Sequence, residues 1–227
     1  MLMKKNGAII ALNGHADTLD HLTHLQAVDT PMRADAFVLS PAQKEEKIAH
    51  HFKAIMETLG LDLADDSLQG TPKRVAKMFV NEVFNGLDPI NKPEPTLFAN
   101  KFGYKGMLVE RDITVHSFCE HHFVPIIGKA TVAYFSSGEV IGLSKLDRIV
   151  KYYAARPQVQ ERLTEQIAAE LKHVLRTEDV AVLIDAEHMC VKLRGVKDDR
   201  SSTVTSHFSG RFEDADVRNE FLAYMKN

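Results

Sequence analysis

Ile48, Phe52, Ile55 and Leu59 recur at the three- and four-residue spacing of one helix face. Ser40-Pro41-Ala42-Gln43 marks where that helix starts, with serine at the N-cap, proline at the first helical position and glutamine to complete a capping box. Gly60 marks its end. A second helix opens at Thr71-Pro72, buries Val75, Met78, Phe79, Val83 and Phe84, and stops at Gly86. The three prolines between Asp88 and Pro95 predict a loop. The pattern then changes: Met107 to Phe118 and Ile126 to Phe135 are rich in β-branched and aromatic residues and predict two strands. Helical spacing returns from Gly142 to Thr177. Ser144 is the expected cap of its first piece, Arg156-Pro157 the break, and Pro157 the start of the second piece, whose stripe is Val159, Leu163, Ile167, Leu171 and Val174. Val180 to Ile184, Glu187 to Leu193 and Ser202 to Phe212 predict three more strands, and Val217 to Met225 a closing helix.

This order predicts an α+β fold, an antiparallel sheet with helices layered on one face, preceded by N-terminal helices. Residues 1–39 lack periodicity and are expected to form a partly ordered extension. Residues 40–227 are expected to form one domain, with a helical part at 40–100 and a strand-rich part at 101–227. No strand is followed by a glycine-rich phosphate turn, which excludes a dinucleotide-binding βαβ unit.

Composition narrows the partners. A net charge of −3 supplies no positive field for nucleic acid, so any polyanionic ligand needs cations gathered locally. No apolar run approaches the roughly 18 residues of a membrane span. Lys4 and Lys5 precede only Ala8 to Leu12, a run shorter than the roughly 7–15 apolar residues of a secretory signal. The expected location is the cytoplasm, where Cys119 and Cys190 stay reduced and metal or catalytic roles gain weight.

Those cysteines sit in Cys119-Glu120-His121-His122 and His188-Met189-Cys190. On one turn, Cys119 and His122 point the same way. On a strand, His188 and Cys190 share a face, with Met189 and Val191 on the other. Joined, Cys119, His122 and Cys190 form a thiolate–imidazole set suited to zinc, with His121 and His188 beside it. Three protein ligands leave a tetrahedral position open for water, the mark of a catalytic site. The same residues also suit buried thiols with ordinary histidines, or a structural zinc completed by a spare histidine. Arg74 and Lys77, then Ser144, Lys145 and Arg148 at a helix start, then Lys192, Arg194 and Lys197 form basic clusters. Each suits a solvated face. The last lies a few residues from the metal set, where a phosphorylated substrate would need cations.

At these residues the chain resembles the GTP cyclohydrolase I family. The resemblance is carried by Ser117 to Phe123, Gly128-Lys129-Ala130, Val140 to Val150, Ala155 to Thr164, His188 to Val191 and Arg194-Gly195, and runs from about residue 45 to the C-terminus. It implies one zinc per subunit held by Cys119, His122 and Cys190, and proton transfer by His121 and His188. It implies guanine recognition by Glu161 with Gln160, and triphosphate binding by Arg74, Lys77, Ser144, Lys145, Arg148 and Arg194. A carboxylate suits guanine because N1–H and the 2-amino group are paired donors, which adenine lacks. The implied reaction is zinc-assisted addition of water at C8 of GTP, ring opening, loss of formate, and closure to 7,8-dihydroneopterin triphosphate. The implied architecture is the tunnelling fold, assembled as a homodecamer with active sites between subunits. Residues 198–206 vary from the family's Ser/Thr-rich strand, and 1–39 have no counterpart. Two rivals remain: a sister enzyme acting on a ready-made pterin, and a zinc-stabilised binding module without catalysis.

Overall fold

A computed structural model describes residues 3–5, 8–10 and 29–225. The expected N-terminal extension lies largely outside the described residues. Strands β1 (Met3–Lys5) and β2 (Ala8–Ile10) pair antiparallel. Further along, Thr30 Oγ1 lies 3.5 Å from Arg156 Nη1.

Helix α1 spans Pro41–Thr58, and its start is the expected capping box. Gln43 N donates to Ser40 Oγ at 3.3 Å, and Ser40 N donates to Gln43 Oε1 at 2.9 Å. Gly60, at φ 82°, ends it in a conformation that glycine adopts without strain. The second helix, α2 (Thr71–Met78), is shorter than its apolar pattern predicts. A π-helical turn (Phe79–Val83) and a 3-10 turn (Asn85–Leu87) continue the chain to the expected stop. The proline-rich stretch holds a 3-10 turn (Pro89–Asn91). A short pair missed by periodicity follows: β3 (Leu97–Ala99) against β6 (Glu139–Ile141), too short to reveal a two-residue period.

The main sheet contains β4 (Leu108–Cys119), β5 (Pro125–Tyr134), β7 (Pro157–Gln158), β8 (Val180–His188) and β9 (Thr203–Phe208), in the order β7-β4-β5-β8-β9. Every pairing is antiparallel except β7 with β4. Helices α3 (Leu143–Ala154) and α4 (Gln160–Leu175) bury Leu146, Ile149, Val150, Leu163, Ile167 and Leu171 against one face of the sheet. The alternate face is covered at one end. There Ala133 and Ala181 meet Phe212 and Phe221, brought by a 3-10 turn (Gly210–Glu213) and a C-terminal helix (Ala215–Ala223). The fold is mixed helix and strand with its paired long helices on a single side, as expected.

Five local expectations are corrected. Gly142, with no side-chain cap, precedes α3, and Ser144 already lies inside the helix. Pro157 does not start α4. It joins the sheet beside Phe118, and the chain stays extended through Val159 before the helix begins at Gln160. Val180 to His188 is one unbroken strand, because Asp185 and Ala186 continue its pairing with β5. Residues Met189–Lys192 then form a helical turn, α5, where a strand was expected. The last strand ends at Phe208, earlier than the expected Phe212.

Candidate metal centre and active site

Cys119 is the last residue of β4 and is buried. The chain then reverses tightly toward β5. Phe123 N donates to Cys119 O at 2.9 Å, and Cys119 N donates to Val124 O at 2.9 Å. This places Phe123 at φ 51°, an unusual region for an aromatic residue. Its ring, half exposed, packs one side against Phe84 and Phe79, with centroids 5.2 and 6.2 Å away, and these aromatic contacts offset part of the backbone cost. The turn sets Nδ1 of His122 3.8 Å from Cys119 Sγ.

The second arm comes from the end of β8. His188 is the last strand residue, and Cys190 lies in the helical turn α5. The shared strand face expected for His188 and Cys190 therefore does not exist. A change of backbone direction turns Cys190 inward instead. Ligand atoms of Cys119, His122 and Cys190 all lie within 4.8 Å of one another. Zinc bonds of about 2.3 Å to sulfur and 2.0–2.1 Å to nitrogen require donors about 3.5–3.8 Å apart in a tetrahedron. The Cys119–His122 separation fits that edge, and the S₂N donor chemistry fits zinc. Burial, and then the neighbouring Cys119, push the Cys190 thiol above its ordinary value. A bound cation reverses that balance. His121 Nδ1 also lies 3.7 Å from Cys119 Sγ, but His121 is exposed and falls outside the mutually close set.

The other candidate residues divide into two groups. Near the cluster, Arg194 Nη1 is 2.6 Å from His122 Nε2. Nε2 of His188 is 2.8 Å from Gln160 Oε1. Burial lowers the His188 pKa from its ordinary value, and the charge of Glu161 opposes this. Glu161 stands exposed in the first turn of α4. Lys192, a few residues from the metal set, is paired with Glu187 at 2.8 Å. The second group is Arg74, Lys77, Ser144, Lys145 and Arg148. None of these makes a hydrogen bond or ion pair with the cluster among the described residues. Arg74 donates instead to Ser67 O and Thr71 Oγ1, both at 2.9 Å. Arg148 lines a separate hollow of about 500 Å³ with Lys151, Glu82 and Tyr152.

Sequence reasoning passed over Glu120 and Arg162. Glu120 sits inside the Cys-Glu-His-His motif as a spacer, and Arg162 lies two residues beyond Gln160. The structure joins them: Arg162 Nη1 donates to Glu120 Oε2 at 2.5 Å and Nη2 to Oε1 at 3.4 Å. This arginine holds the Glu120 carboxyl below the usual carboxylate range. Nothing in the spacing announced the pair, since its members are 42 residues apart.

The GTP cyclohydrolase I family model matches residues 48–226. A GTP cyclohydrolase 1 of Flavobacterium johnsoniae is 59% identical over 196 residues, covering 86% of this chain and 88% of its own. One from Aeromonas hydrophila is 54% identical over 202 residues, covering 88% and 92%. One from Escherichia coli is 50% identical over 203 residues, covering 89% and 91%. The matched span contains both arms of the Cys–His–Cys cluster, and on this ground the chain belongs to the GTP cyclohydrolase I family.

Proposed function

We propose that this chain hydrolyses GTP at C8 of the purine, releasing formate and forming 7,8-dihydroneopterin triphosphate, with one zinc per subunit held by Cys119, His122 and Cys190. The observation that carries this reading is the convergence of two thiols and one imidazole from separate elements, with a histidine and a carboxylate beside them, in a chain of this family. Held by these three residues, zinc would supply a water that is nucleophilic at neutral pH.

The chain's own residues do the rest. Glu161 accepts the paired donors of the guanine edge, so adenine leaves the carboxylate unmatched. His188 exchanges a proton with the purine ring from a half-buried position. His121, more exposed, links the site to solvent and serves the later ribose rearrangement. Arg194 reaches the cluster from the end of α5 and offers forked donors to phosphate oxygens. Arg74, Lys77, Ser144, Lys145 and Arg148 bind the triphosphate. That none of them bonds to the cluster within one chain, among the described residues, is in keeping with a site completed by a neighbouring subunit.

The sheet order leaves β9 at one edge and the two-residue β7 at the other, and edges open to pairing with another copy support the proposal of a tunnelling-fold ring assembled as a homodecamer. Residues 40–227 are the catalytic domain in this reading, divided near residue 100, and 1–39 an extension. No helix among the described residues is long and apolar enough to cross a membrane. The proposed location is the cytoplasm, where two free thiols persist, with neither nucleic acid nor membrane as partner.

The test is to incubate zinc-loaded protein with GTP and to measure formate and the fluorescent oxidised pterin. Equal amounts of both are expected. No formate from metal-replete, correctly assembled protein overturns the proposal.

A further inference from the structure

Gln160 is fully buried at the start of α4, and its side chain ties three elements together. Nε2 donates to the carbonyl of Ile184 on β8 at 3.1 Å and to the carbonyl of Thr203 on β9 at 2.8 Å, and it also contacts Thr205 Oγ1 at 3.1 Å. Two carbonyl oxygens can only accept, so the amide nitrogen and oxygen of Gln160 are assigned without ambiguity. The hydroxyls agree. Thr164 donates to the Gln160 carbonyl at 2.9 Å, so in its 2.7 Å contact with Thr205 it is Thr205 that donates. Thr205 keeps a lone pair toward Gln160 Nε2. Every donor in the network has an acceptor, in one direction only.

The remaining atom, Oε1, lies 2.8 Å from His188 Nε2 and can only accept. His188 Nε2 must therefore carry its hydrogen, and in the neutral ring Nδ1 is bare. Nδ1 makes no hydrogen bond among the described residues, nor is it one of the buried side-chain atoms left without a partner. It therefore keeps some exposure.

We infer that Gln160 is a positioning residue that holds the His188 ring in one orientation, as the Nε2–H tautomer, with Nδ1 left outside the Gln160 network. This rests on the reading of His188 as a proton-transfer residue and deepens it. It also removes Gln160 from direct guanine contact, since both ends of its amide are already engaged. Glu161, next along the chain and exposed, is left as the guanine-facing side chain.

The experiment uses the zinc-loaded full chain, labelled with ¹³C,¹⁵N-histidine. His188 is assigned by the signal lost in His188→Gln. Magic-angle-spinning spectra distinguish a hydrogen-bearing from a bare ring nitrogen, whether or not GTP turns over. A His188 with hydrogen on Nε2 and bare Nδ1 is expected in the parent protein; the reverse overturns the inference. Gln160→Met removes the acceptor and is expected to give a mixture of tautomers. It should lower kcat about 100-fold, the low end of what a placed acid–base group contributes, with KM for GTP changed less than 3-fold. Gln160→Glu retains an acceptor facing His188 and, protonated at its other oxygen, a donor facing the carbonyls of Ile184 and Thr203; it is expected to keep the Nε2–H form and serves if the methionine variant does not fold. Retention of a single Nε2–H tautomer in Gln160→Met, or a loss that falls on KM and on selectivity for GTP over ATP, rejects positioning in favour of direct guanine contact. Failure of the GTP assay with the tautomer intact rejects the function instead.

Discussion

Glu120 and Arg162 form a two-point ion pair that fastens the turn carrying Cys119 and His122 to the helix carrying Gln160 and Glu161. Both side chains are mostly buried, with 25% and 20% of their surface exposed. The turn is held a second time where Glu120 N donates to Gln158 O at 3.0 Å. Cys119 and His122, the proposed metal ligands on this turn, and Glu161, the carboxylate proposed to face guanine, are thereby mounted on one rigid unit, although they come from different elements.

Arg162→Met leaves Glu120 without its partner and is expected to cost about 1–3 kcal/mol of stability at pH 7, the range for a hydrogen bond to a charged group. The sign with pH follows from the depressed Glu120 pKa. The stabilisation is fully present above the ordinary value of 4.5 and is lost as pH falls through the lower folded-state value. Urea midpoints of parent and variant, well separated at pH 7, should converge in acid below that value. A constant gap down to pH 3 contradicts the assignment.

Cys190→Ser and Cys119→Ser should each lose zinc and formate production together, because each removes one of three ligands. Chelation of the parent protein should abolish turnover while far-ultraviolet circular dichroism stays largely unchanged, since the main core lies between the sheet and α3/α4. Unfolding in step with metal loss would identify a structural zinc instead. Elemental analysis beside the spectra distinguishes the two.

Glu161→Gln replaces an acceptor-only group with one that also donates toward guanine donors. Zinc content should be retained, and kcat/KM for GTP should fall by two orders of magnitude or more, about 3 kcal/mol of discrimination. Preference for GTP over ATP should shrink with it. Unchanged selectivity in competition assays would remove Glu161 from the guanine site.

Gly128 lies in β5 opposite Ala186, where the adjoining strand β8 leaves no room for a side chain. A Cβ there would fall 2.2 Å from Asp185 O and 2.4 Å from Ala186 Cβ. Backbone cannot move aside as a flexible side chain can, so Gly128→Ala is expected to cost about 3 kcal/mol or more. It should part β5 from β8 just before His188. A lowered melting temperature together with weakened zinc retention is the expected result, and a melting temperature equal to the parent's would refute it.

Much of the fold was legible because its signals are local. The capping box at Ser40 and the stripe of α4 act within a few residues, and the structure reproduces them. Expectations failed where distant contacts overrode local preference. Pro157 suits a helix start by itself, but a pairing with Phe118 draws it into the sheet. Residues 189–192 carry Met, Cys and Val, which suit a strand, but continued pairing stops at His188 and the chain coils into a turn.

The order of residues alone determined which chemistry was available: two thiols beside histidines, a carboxylate in a helix first turn, cations in clusters. It determined Cys119 and His122 as a pair, since a tight turn brings them together without help. Only the tertiary structure decided that Cys190 joins them, that Arg162 grips Glu120, and that Gln160 faces His188 from 28 residues away in the chain. Such contacts depend on sheet register and helix docking, which come from the sum of many weak apolar contacts across the whole core, and no short stretch of sequence carries that sum.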